Sequence, residues 1–272
     1  MAKMFSNLHI YLQKFGQYLF LPMKGTTIEK TVMDNELKSN SEYNRNVFEK
    51  FMIRLSDIFF SGLAIIILFP FLLPIIIGLK LSGEHYIFYG QKRIGRYGKE
   101  FMLLKFATML KNSPNLPGGL YTSIDDPRML PMGKFLRRTK INELPQLLNV
   151  LIGQMSMVGY RPTVREHYEI YPVKTKQKIY NEKPGLTGIG SIVFRNEENI
   201  LQKLENKCFF HQNVIIPYKA LLENWYVDNK NIISYFKIIM VTAFVLLGHD
   251  SSTWKNKFKK LPVIPPELEE YI

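Results

Sequence analysis

Residues 58–79 read IFFSGLAIIILFPFLLPIIIGL and carry no charged side chain. A helix of that length matches a hydrocarbon layer about 30 Å thick, so the pattern predicts a helix seated in a membrane. Pro70 and Pro74 lie inside the run. An interior proline removes one backbone hydrogen bond and bends the rod, so a bend is expected near its middle. Lys50, Arg54 and Asp57 precede the run, and Lys80, Lys92, Arg93, Arg96 and Lys99 follow it. With basic residues on both flanks, the positive-inside rule places both on the cytoplasmic side, which predicts a re-entrant hairpin rather than a span.

The other patterns are milder. A second apolar run at 232–248 is shorter and interrupted by Lys237, which suits an interfacial or core helix. Between 85 and 110, aromatic and polar positions alternate around GRYG, predicting two strands joined in a β-hairpin. The stretch KNSPNLPGGLYTSIDDPR at 111–128 is turn-rich and reads as a loop that can cover a site. Leucines and isoleucines recur at helical spacing over 133–158, interrupted by Pro145, and 206–247 reads as mostly helical. The fold class is therefore α+β and mainly helical. Residues 1–49 form a basic, polar extension ending in a linker, SNSEYNRN, and 249–272 form a C-terminal tail.

The chain has 272 residues, 46% of them hydrophobic, and a formal net charge of +13. That is enough apolar material for one sizeable core and excludes full disorder. The charge calls for an anionic partner: a nucleic acid, a phosphorylated substrate or an acidic lipid surface. No nucleic-acid-binding module is present, and the uncharged run at 58–79 argues against that partner. Cys208 stands alone, so no internal disulfide forms. The N-terminus lacks the apolar stretch and cleavage site of a signal peptide. Five scattered histidines and no paired cysteines exclude a recognisable zinc site, and GRYGKE fits neither glycine-rich phosphate-binding fingerprint. The basic residues cluster at Lys92, Arg93 and Arg96, at Arg137, Arg138 and Lys140, and at Arg161 with Arg165. Arginine forks suit phosphate oxygens, though a solvated or headgroup-facing basic surface accounts for the spacing equally well. Glu143, the one acid in KINELPQLLNVLIGQMSMVGYRP, has a bland reading as a first-turn acid that complements the helix dipole.

Several collinear stretches together change the picture: RLSD before the apolar run, GQKRIGRYGKEFMLLKFATM, DPRMLPMGKFLRRTKINELPQLLNVLIGQMSMVGYRP, KPGLTGIGSIVFRN and WYVDN. They resemble the bacterial sugar transferases, the monotopic polyprenyl-phosphate phosphoglycosyl transferases, from about Arg54 to Leu247. The resemblance implies a transferase domain over 50–248, with a membrane helix broken at Pro70 and a small cytosolic α/β body on the cytoplasmic face of the bacterial inner membrane. It implies transfer of a sugar 1-phosphate from a nucleotide sugar, usually UDP-linked, to undecaprenyl phosphate, initiating polysaccharide or glycoconjugate assembly. Association between copies of the chain is left open.

In that family an Asp-Glu pair carries the chemistry, the Asp as nucleophile and the Glu serving Mg2+. The matching positions here are Asn142 and Glu143, so Glu143 is the implied metal residue. The resemblance further assigns Lys105, Asp126, Arg128, Arg137, Arg138, Arg161 and Arg195 to substrate and phosphate binding. Four positions depart from the family pattern: Asn142 for Asp, Ala107 for a basic residue, Gln154 for Asp and Tyr160 for Pro. A neutral amide is a poor nucleophile. Two lost carboxylates are expected to weaken a magnesium site. The alternative function is accordingly a non-catalytic relative that binds lipid phosphate or scaffolds a glycan-assembly complex.

Overall fold

A computed structural model describes residues 47–116, 126–247 and 254–272; these belong to one compact unit, Asn44–Ile272. All but the end of the 1–49 extension and much of the 111–128 loop lie outside the described residues.

The apolar run lies within a longer helix, α1 (Val47–Leu81), which takes in Lys50, Arg54 and Asp57. Helical backbone continues through Pro70 and Pro74, so Pro70 does not split the helix into two elements. Each proline removes one donor and leaves the neighbouring turns bonded. This helix alone among the described residues is long and apolar enough to cross a membrane. Its middle is exposed at Ile66 (73%) and Phe71 (71%), whereas both ends pack on the same body.

At the first end, Arg54 donates to the Val150 and Leu151 carbonyls, both at 2.8 Å. One turn on, the buried Asp57 carboxylate accepts from Ser156 Oγ (2.9 Å), Met157 N (2.8 Å) and Tyr235 Oη (2.7 Å). At the second end, Leu72, Ile75, Ile76 and Leu79 join Phe106, Leu136 and Ile141 in an apolar cluster.

β1 (Phe88–Ile94) and β2 (Glu100–Phe106) form the expected antiparallel hairpin, with Phe88 opposite Phe106 and Tyr89 opposite Lys105. Tyr97 and Gly98 make the turn with φ of 61° and 65°. The helical pattern over 133–158 resolves into three pieces rather than one helix: α2 (Gly133–Arg138), a 3-10 turn (Ile141–Glu143) and α3 (Gln146–Ile152). Lys140 causes the first break by entering the left-handed region at φ 60°, and Pro145 opens α3 where its missing N–H costs nothing. The pattern also hid a short strand, β3 (Ser156–Val158), which pairs in parallel with β4 (Gly185–Thr187). At this crossing a Cβ on Gly159 would lie 2.4 Å from the Lys183 carbonyl oxygen, so the backbones interlock with no room for a side chain.

Between and after these strands come α4 (Arg165–Ile170), α5 (Val173–Tyr180), α6 (Ile189–Val193), α7 (Glu197–Gln202) and α8 (Lys207–Phe210). A π turn (His211–Ile215) carries α8 into α9 (Ile216–Asn229). Asn231 and Ser234 then cap α10 (Ile232–Leu246) reciprocally, satisfying two end amides. α10 buries Tyr235, Ile238, Val241 and Val245 and leaves Ile233 and Met240 exposed, so the second apolar run is a core helix with one bare face. The short α11 (Trp254–Lys257) and α12 (Pro266–Glu269) place Trp254, Phe258 and Leu268 in the largest core cluster, so the segment expected as a tail is packed.

Candidate active site

A cavity of about 1030 Å³ is enclosed by the hairpin, the 3-10 turn, the segment after β3, α6, α7 and α10. Strand alternation supplies one wall: Tyr89, Gln91 and Arg93 face inward from β1, as does Lys105 from β2, while Lys92 between them points to solvent. The 3-10 turn supplies Asn142 and Glu143. It is closed by Glu143 N donating to Lys140 O (3.0 Å) and planted by Ile141 in the cluster around Leu79 of α1. The candidate dyad therefore sits against the C-terminal end of α1.

Arg161 lies across from the dyad, with Nη2 3.3 Å from Glu143 Oε1. Burial opposes ionisation of Glu143, but Arg161, Lys105 and Lys140 outweigh it and hold the carboxyl down at about 2. Burial, reinforced by Arg93, Arg161 and Arg137, pulls the Lys105 ammonium down to about 7 against the opposing pull of Glu143. Arg93 is likewise lowered to about 10, by burial and by Arg161. Among the described residues the cavity lining carries nine Lys and Arg side chains against four glutamates, Glu143, Glu166, Glu197 and Glu198, so it holds an excess of positive charge until an anion enters. Two unpartnered donors point the same way: Arg93 Nε and Ser191 Oγ belong to residues lining the cavity and bond to no group among the described residues, whereas the equally unpartnered Asn142 Oδ1 can only accept. Ordinary interiors leave few such atoms.

Beneath Arg161, its own N–H donates to Glu223 Oε1 (3.2 Å), and burial pushes that hidden carboxyl up to about 7. At the far wall Glu197 binds Lys219 Nζ through both oxygens at 2.7 Å and lies 2.9 Å from His211 Nε2. Burial works against the Glu197 charge, yet Lys219 and His211 hold its carboxyl well below the usual range. His167, ring to ring with His211 at 4.8 Å, is lowered to about 4 by burial and by the charge of His211.

Of the site residues implied by resemblance, Lys105, Arg128, Arg137, Asn142, Glu143, Arg161 and Arg195 line the cavity. Asp126 is buried beside it and holds the Arg128 guanidinium through Oδ1 (2.8 Å) and Oδ2 (2.6 Å), which makes it a positioning group. Arg138 is exposed and off the cavity, because the short α2 turns Arg137 inward, toward Glu198 and Met109, and its neighbour outward. Reading by resemblance missed Arg93, His167, Glu197, His211 and Lys219. Arg93 was already named in the basic cluster with Lys92 and Arg96, and alternation along β1 singles it out from Lys92; the others meet only through tertiary packing.

Three of the four departures fall outside the cavity. Gln154 accepts from Asn149 Nδ2 (2.7 Å) on the outer side of α3, Ala107 is fully buried beside the hairpin, and Tyr160 packs with Tyr171, Ile179 and Ile216. Gln154 is exposed and does not line the cavity that Glu143 lines. Asn142 is the one departure inside. For Mg2+ the fit is poor: a lone carboxylate already paired with Arg161 stands next to an amide, and no group of three or more metal-binding acids, histidines or cysteines occurs among the described residues.

Comparison with known proteins agrees with this layout. The family model described as bacterial sugar transferase matches residues 48–249. An uncharacterized sugar transferase of Haemophilus influenzae is 34% identical over 213 residues, 73% of this chain and 41% of the relative. The exopolysaccharide production protein ExoY of Sinorhizobium fredii is 34% identical over 171 residues, 58% of this chain and 75% of the relative. A UDP-glucose:undecaprenyl-phosphate glucose-1-phosphate transferase of Klebsiella pneumoniae is 35% identical over 196 residues, 70% of this chain and 39% of the relative. The chain thus spans about 40% of the length of the first and third of these. With the family pattern running from the start of α1 to the end of α10 and its basic residues converging on one cavity, the chain belongs to the bacterial sugar transferase family.

Proposed function

We propose that this protein transfers a sugar 1-phosphate from a UDP-sugar to undecaprenyl phosphate at the cytoplasmic face of the bacterial inner membrane. The observation that carries the reading is the ring of Arg93, Lys105 and Arg161 around Glu143, on a turn planted against the returning end of α1. Both ends of α1 contact one body, which favours a helix that enters and leaves one leaflet. A spanning helix would put its second end on the far side of the bilayer, away from Phe106 and Leu136. The cation ring then lies at headgroup level, where the lipid phosphate and a soluble donor can meet.

The amide of Asn142 favours direct displacement over a covalent enzyme intermediate. A phosphate oxygen of undecaprenyl phosphate attacks the β-phosphorus, which carries the sugar. The P–O bond forms there as the bond to the bridging oxygen breaks. That oxygen leaves with the electron pair on uridine monophosphate, and no net proton moves. Arg93, Lys105 and Arg161 hold the phosphoryl oxygens, and Glu143 keeps Arg161 oriented. Catalysis of this kind rests on positioning and charge stabilisation.

The same amide supports a second reading, a relative that binds lipid phosphate or nucleotide sugar without turnover and scaffolds glycan assembly. Full-length chain in nanodiscs, given undecaprenyl phosphate and a panel of radiolabelled UDP-sugars, separates the two. Lipid-linked product that disappears in Glu143→Ala supports transfer. No product from any sugar supports the scaffold. Label exchange between uridine monophosphate and UDP-sugar in the absence of acceptor would refute direct displacement, because only a covalent intermediate permits it.

A further inference from the structure

The magnesium ion implied by the family resemblance has no suitable seat among the described residues, and the residues around that place suggest what takes over its role. Mg2+ is held by one or two carboxylates together with substrate phosphate. The only carboxylate in the 3-10 turn is Glu143, whose Oε1 faces Arg161 Nη2 at 3.3 Å. The adjacent donor is a neutral amide oxygen, and Arg93, Lys105 and Lys140 close the surroundings. A dication entering there would meet Arg93, Arg161 and Lys140 beside a glutamate already paired with Arg161, while Glu197 is spent on Lys219 and Glu166 lies beside Arg93, so cations outnumber acids and the net effect is repulsion. An entering diphosphate meets the opposite field, with the unpartnered Arg93 Nε still free to donate.

We propose that the cavity neutralises the diphosphate of its ligand with its own basic side chains, Arg93, Lys105 and Arg161, and is independent of magnesium. This rests on the reading of the cavity as a nucleotide-sugar site, but its test does not require turnover. Full-length chain in phosphatidylcholine nanodiscs is titrated with Mn2+, a paramagnetic stand-in for Mg2+, and free Mn2+ is followed by electron paramagnetic resonance with and without UDP. The expected result is no bound Mn2+ beyond the level of a Glu143→Gln variant. UDP affinity measured by calorimetry should also agree within about twofold between excess Mg2+ and a chelator.

Stoichiometric Mn2+ that is lost in Glu143→Gln would overturn the proposal, as would a loss of UDP affinity of about tenfold or more on chelation. Asn142→Asp restores two adjacent carboxylates and is expected to bind Mn2+; a variant that binds none would refute the assignment of metal loss to the amide. A chain that fails to make lipid-linked sugar while remaining blind to Mn2+ would sink the transfer reading and leave this one standing.

Discussion

Replacing Asp57 by Ala tests how the membrane helix is fastened to the body. The carboxylate accepts three hydrogen bonds in a buried setting, from Ser156, Met157 and Tyr235, which join α1 to β3 and α10. A hydrogen bond to a charged group contributes about 1.5–3 kcal/mol. Three such bonds do not add in full, because the freed hydroxyls can turn to other partners; the Met157 amide cannot. Removing one side of a buried polar cluster costs about 3–5 kcal/mol. For a body of this size each kcal/mol moves the melting temperature by about 2–4 °C, so Asp57→Ala should melt about 6–20 °C below the parent. The assay is thermal unfolding in nanodiscs followed by Trp225 and Trp254 fluorescence, the two tryptophans of the chain, both in the body. Tyr235→Phe should cost less alone, and almost nothing further in the Asp57→Ala background, since the two share one bond. A shift below about 2 °C, or additive losses in the double variant, would refute the account of Asp57 as the fastening point.

Three further outcomes follow from the site and its floor. Arg161→Ala should weaken UDP binding by about 10- to 150-fold in calorimetry, the equivalent of one charge-assisted contact, and Arg161→Lys should recover only part, because an ammonium lacks the planar fork. Lys105 sits near 7 in the free protein, so an anion that favours its charged form should draw in up to about one proton per UDP bound at about pH 8 and almost none at about pH 5.5. Calorimetry in buffers of different ionisation enthalpy reads this uptake directly, and it should vanish in Lys105→Met. The same lowered value means the unfolded chain holds more protons than the folded one from about 7 up to 10.5, so Lys105 makes stability rise with pH across that window. Gly159→Ala should destabilise the fold by about 3 kcal/mol or more in thermal unfolding, since its new methyl would meet backbone at 2.4 Å, where no side chain can yield.

The extremes of the chain's pattern were the legible ones. A long uncharged apolar run and a pair of aromatic-rich stretches around a glycine-bearing turn are set by local chemistry, so the helix over 58–79 and the hairpin over 88–106 were legible, though not the continuity of that helix through Pro70. The region 133–158 misled because leucine spacing records burial and not continuity. Its break depends on a single left-handed residue, Lys140, and β3 is a strand of three residues whose partner lies far along the chain. The site divides in the same way. Residues on contiguous motifs, such as Lys105 and Glu143, were found, whereas Glu197, His211 and Lys219 converge only when the π turn carries α8 into α9. Gln154 shows the opposite hazard: its motif position suggested the site, but its amide is engaged by Asn149 on the outer side of α3.

The fastening of α1 at two points has a geometric corollary. A rod held only at one end would let the body swing or float above the lipid, so the elevation of the cavity would fluctuate. On the proposed membrane seating, the depth at which exposed residues such as Ile66 and Phe71 ride in the hydrocarbon would set how far Glu143 stands above the glycerol backbones. Deleting or adding a residue in that middle would turn one end by about 100° relative to the other, so Arg54 and Leu79 could not both keep their partners.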